Sequence, residues 1–118
     1  MNAKSYYTCI NYKNTKTQNI TNVRIDTSYM DEQMNKNFKQ HVINEFINDY
    51  NIEMDKLSES LLKVATYFYY TSVGTWCVFI TQKNDFIGSI HFINNRYLRM
   101  TAENKNKKYN IVLFETPV

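Results

Sequence analysis

The hydrophobic period changes once along the chain, at Thr71. Before it, apolar residues recur every three or four positions; after it, they gather in short β-branched and aromatic runs. Met30, Met34, Phe38 and Val42 step by four and are joined by Ile43, Phe46 and Ile47. That is one face of a helix of about 18 residues. Thr27, Ser28, Asp31 and Glu32 supply hydroxyls and acids for its start. Asn51 is placed to cap a second helix, with Glu53 and Asp55 in its first turn. Its stripe is Met54, Leu57, Leu61, Val64, Ala65 and Phe68, widened by Leu62 and Tyr69. Beyond the break the pattern predicts strands at Trp76–Thr81, Phe86–Ile93, Tyr97–Thr101 and Tyr109–Glu115, with turns at Lys83–Asp85 and Asn94–Asn95 and a charged hairpin loop at Glu103–Lys108. A short strand at Val23–Asp26 precedes the helices. The order predicts an α+β fold, two helices packed on one antiparallel sheet.

A chain of 118 residues and 14.1 kDa, with two glycines and one proline, has no linker between two domains. Residues 1–22 read as an N-terminal extension, polar from Asn11 to Asn22, with a weak alternation at Tyr6–Tyr12 that suits a short strand. Residues 23–118 form the domain. Ten Tyr, seven Phe and one Trp are enough for a core and exclude wholesale disorder. The longest apolar run, Trp76–Ile80, is far short of the roughly 18 residues of a membrane span. The start lacks a secretory leader's apolar stretch, and two cysteines, Cys9 and Cys77, make no disulfide scaffold; a reducing cytoplasmic setting is expected. The net charge of +3 is too small to imply nucleic-acid binding, and Lys and Arg do not cluster on the two apolar strands.

The chain carries no HExxH, CxxC, phosphate-loop glycines or serine elbow. His41 stands one position before an apolar stripe residue, and His91 falls in a predicted strand. Cys77 reads as a structural thiol. Glu53 and Asp55 read as compensation of the helix dipole. No enzyme, cofactor or metal site is expected. What does stand out is Gly88 within Phe86–Ile93: a strand where another backbone can come close, at an edge able to pair with an extended peptide.

Five blocks, in order, resemble the eight-kilodalton dynein light chains. Tyr50-Asn51-Ile52-Glu53-Met54-Asp55 is similar to that family's Tyr-Asn-Ile-Glu-Lys-Asp, and Met30-Asp31-Glu32-Gln33-Met34 to its Met-Ser-Glu-Glu-Met. Thr75-Trp76-Cys77-Val78-Phe79-Ile80 resembles its Thr-Trp-His-Cys-Ile-Val strand. Phe86 and Gly88-Ser89 look like its Phe-Gly-Ser, and Ile111-Val112-Leu113-Phe114 like its Ile-Leu-Leu-Phe. The resemblance runs from about Val23 to Glu115.

It implies a strand-swapped homodimer in which Phe86–Ile93 crosses to the partner's sheet. An extended segment of a target protein then adds as a strand beside it. The target would be dynein intermediate chain or another protein with a linear motif. The residues implied for peptide binding are Glu53, Met54, Phe86, Gly88, Ser89, Ile90, His91, Phe92, Ile93, Leu98, Met100 and Ala102. Those implied for the dimer interface are Trp76, Cys77, Phe86 and Ser89. The function implied is a non-catalytic light chain, a dynein motor subunit or dimerisation hub, cytoplasmic and cytoskeleton-associated. Two alternatives are a permanently assembled axonemal or motor subunit and a nucleic-acid-binding α+β domain.

This chain departs from the family at the groove. Ile90, Phe92, Met100 and Ala102 stand where the family has hydroxyl-bearing side chains, and Met54 where it has lysine, so the groove is more apolar. Cys77 replaces a histidine whose protonation, in the family, drives the dimer apart; a thiol takes up no proton in mild acid.

Overall fold

The computed structural model describes residues 21–83, 88–105 and 107–118. Residues 1–20 of the expected extension, with its Tyr6–Tyr12 alternation, Asn84–Asp85 of the expected turn, and Phe86 and Ile87 of the expected strand lie outside the described residues.

Strand β1 spans Asn22–Ser28, two residues longer at its far end than expected. It pairs antiparallel with the strand over Tyr97–Asn104 and bulges between Ile25 and Thr27. Helix α1 covers Glu32–Asn48. Its cap is Asp31, whose Oδ1 accepts the Met34 N–H at 2.8 Å. Ser28 serves the turn just before it, accepting the Met30 N–H at 3.0 Å. Met34, Phe38, Val42 and Phe46 are buried at spacings of four, as the stripe requires. Ile47 falls off that face and is 72% exposed.

Helix α2 covers Met54–Phe68 and buries Leu57, Leu61 and Ala65. Asn51 does not cap it. The cap residue is Glu53, with no side-chain bond, while the Asn51 N–H is spent on Asp49 Oδ1 at 3.1 Å. Phe68 ends the helix exposed, and Tyr69 turns back onto Phe38, ring centroids 5.4 Å apart.

After α2 come β2 (Gly74–Thr81), β3 (Tyr97–Asn104) and β4 (Lys107–Pro117). The sheet order is β1-β3-β4-β2, all neighbours antiparallel. The α+β architecture of two helices on one antiparallel sheet is therefore present. One expected strand is not. Gly88–Ile93 belongs to no strand, so among the described residues three strands follow the helices and not four. The residues are β-formers, but a strand exists only where a neighbour completes its hydrogen bonds, and none of the four sheet strands takes that place.

The helices cover one face of the sheet. Val23, Trp76, Leu98, Met100, Ala102, Tyr109, Ile111 and Leu113 point into that layer. Phe38 packs on Trp76 and Phe46 on Tyr109, at centroid distances of 6.1 and 5.5 Å. Phe38 is 0% exposed, and truncating such a ring typically costs about 3–5 kcal/mol. Alternation puts Thr75, Cys77, Phe79, Thr81, Tyr97, Arg99, Thr101, Val112 and Phe114 on the opposite face.

Candidate peptide-binding edge

The segment Gly88–Ile93 lies outside the sheet, but its base is fixed to it. The Ile93 N–H donates to the Glu115 carbonyl at 2.7 Å. The Arg96 N–H returns to the Ile93 carbonyl at 3.0 Å, and the Glu115 N–H donates to the Arg96 carbonyl at 3.0 Å. The turn between them passes through Asn95 at φ 67°, a left-handed conformation that asparagine tolerates better than most residues.

Side chains reinforce this base. Glu115 continues the inward row of Tyr109, Ile111 and Leu113 and is 0% exposed. Arg96 Nε lies 3.4 Å from Glu115 Oε1, at ion-pair range but not aligned to donate a hydrogen bond to it. The Thr71 hydroxyl donates to Oε2. A carboxylate this deep needs such partners, because its charge is costly away from water. Beside it, a Cβ on Gly74 would fall 2.6 Å from Ile93 Cδ1 and 2.7 Å from Glu115 Cγ. Gly74 therefore lets the base of the arm sit against β2.

Farther out, Phe92 rests between two tyrosines. It stacks on Tyr29 at 5.6 Å with planes 13° apart, and meets Tyr97 at 4.9 Å. A groove of about 340 Å³ runs between arm and sheet, lined by Tyr29, Gly88, Ile90, Phe92, Tyr97 and Arg99. Gly88, Ser89 and His91 are exposed, whereas Ile90, Phe92 and Ile93 are half-buried.

The sequence-derived site divides accordingly. Gly88, Ile90 and Phe92 come together at the groove, and Ser89, His91 and Ile93 belong to the same arm. Leu98, Met100 and Ala102 do not line it. Each is 0% exposed beneath the helices, because their parity on β3 turns them to the core. Glu53 and Met54 stand at the start of α2, outside the groove lining. Trp76, expected at a dimer interface, is instead a core residue, 7% exposed, with its indole N–H on the Tyr69 carbonyl at 3.0 Å. Cys77, its neighbour of opposite parity, is half-buried on the outer face opposite Phe114. Tyr29, Tyr97 and Arg99 were not foreseen. Their signal was available in part: Tyr97 and Arg99 alternate with the core residues of β3.

Among the described residues β2 pairs with β4 alone, so one edge of the sheet lies along Gly74–Thr81. No group of three acidic, histidine or cysteine side chains is arranged to hold a metal among the described residues, and no described helix is long and apolar enough to cross a membrane. His41 spans the helix pair: Nε2 is 2.6 Å from Ser60 Oγ, and Glu45 Oε1 is 3.9 Å away. Burial holds its pKa below the ordinary imidazole value, and Glu45 opposes that only in part.

No protein-family model matches the chain, and no curated protein is similar enough to it to count as a relative. The resemblance to dynein light chains rests on the ordered blocks of residues alone.

Proposed function

We propose that this chain is a non-catalytic homodimeric light chain of the dynein light chain type. It holds extended segments of partner proteins by strand addition, as a motor subunit or dimerisation hub in the cytoplasm and on the cytoskeleton. The observation that carries this reading is that two elements are incomplete. Gly88–Ile93 is an anchored, β-forming arm outside the sheet, and β2 has a ladder partner on one side only among the described residues. An arm from a second copy laid along β2 satisfies both, and its outer edge then offers free N–H and C=O groups to a peptide. The outer sheet face supports the same reading. Phe79 is 49% exposed there, with Cys77 and Phe114 half-buried beside it, an apolar surface suited to a second copy.

The test is capture of partner proteins by the purified chain, with Phe92→Glu as control. Wild type is expected to retain proteins whose bound segments map to short extended motifs. Phe92→Glu is expected to lose them while keeping the wild-type circular dichroism. Capture that survives the charge at Phe92 contradicts this groove.

A further inference from the structure

We propose that the groove between arm and sheet takes an aspartate or glutamate side chain of the bound segment on Arg99. This rests on the strand-addition reading and adds the chemistry of what is bound.

The described residues contain three arginines, and two already have carboxylates. Arg24 reaches Asp26 at 3.0 Å and Glu103 at 2.9 Å, and Arg96 reaches Glu115. Arg99 has none within ion-pair distance among the described residues, and its Nε is buried without a hydrogen-bond partner. Its cross-strand neighbours are Thr27 and Val112, both uncharged. Asp26, next to Thr27, is engaged by Arg24 and by the Thr101 hydroxyl at 2.5 Å. Arg99 thus lines the groove with a guanidinium that no carboxylate among the described residues neutralises, and such a cation suits an anionic acceptor.

The geometry selects which acceptor. A guanidinium binds a planar carboxylate through two parallel N–H bonds, and the side-on form uses Nε with a neighbouring Nη. Nε is shut away from solvent, so the fork left to a ligand in the groove is the end-on pair of Nη groups. The remaining walls, Tyr29, Ile90, Phe92 and Tyr97, place apolar surface beside the guanidinium. An extended segment with one acid flanked by apolar residues fits these walls.

The experiment uses a bead library of N-acetylated, C-amidated octapeptides, so that no terminal carboxylate competes. Full-length wild type, Arg99→Gln and Arg99→Lys are screened, each checked for the wild-type melt. Wild type is expected to enrich Asp or Glu at one fixed position. Arg99→Gln is expected to lose that enrichment and to bind the selected acidic peptide about tenfold more weakly, with no change for its Asn or Gln counterpart. Arg99→Lys is expected to fall between. Peptides selected without an acidic position, or an acidic preference unchanged in Arg99→Gln, overturn the Arg99 assignment and leave strand addition standing. No peptide retained by wild type overturns both.

Discussion

Gly74 and Ile93 approach so closely that no side chain fits between them: a Cβ on Gly74 would lie 2.6 Å from Ile93 Cδ1. The first strand after the helices and the base of the arm are thus fitted to each other through a missing methyl group. Gly74→Ala is expected to destabilise the protein by about 1–3 kcal/mol through overpacking. Because Ile93 is the nearest obstacle, Ile93→Ala in the same chain should recover part of that loss. Urea denaturation of the two single variants and the double variant measures the coupling. Additive losses contradict the contact.

Burial of His41 sets a pH dependence. Its folded pKa is lowered, so the unfolded chain binds the proton more readily than the folded one. The stability that neutral His41 allows is fully present above the unfolded value of about 6.5. It is lost as pH falls from there through the lower folded value. The melting temperature is therefore expected to drop between pH 7 and pH 5, and to drop less in His41→Gln. Melts of both proteins across that range check it; equal slopes contradict it.

Much of this fold was legible in the residues, and the misses have definite causes. The stripes Met34–Phe46 and Leu57–Ala65 named the buried helix faces, because a helix satisfies its own backbone and only its apolar face needs a partner. Strands differ. Gly88–Ile93 has the composition of a strand, but composition does not supply the neighbour that would make it one. Face parity governs the residues of β3. Alternation separates Leu98, Met100 and Ala102 from Tyr97, Arg99 and Thr101, yet does not say which set meets the helices. The resemblance implies Leu98, Met100 and Ala102 at the groove, whereas in the fold they lie under the helices and Arg99 stands on the opposite face. Glu115 was readable in retrospect: it shares parity with Ile111 and Leu113, and an acid on a core face requires a partner such as Arg96.

In the proposed dimer, Cys77 sets the response to mild acid. It lies on the outer sheet face opposite Phe114, where the resembling family carries a histidine. Wild type is expected to sediment identically at pH 7 and pH 5, while Cys77→His dissociates at pH 5 as two imidazolium charges meet near the twofold axis. Wild type that falls apart at pH 5 as readily as Cys77→His contradicts this.

The central claim is that the arm and the one-sided edge of β2 complete each other between two copies. Its most direct measurement is the mass of the wild-type chain by sedimentation equilibrium at micromolar concentration and pH 7. The account predicts a single species at twice the chain mass of 14.1 kDa. A species of 14.1 kDa persisting as the concentration is raised would contradict it.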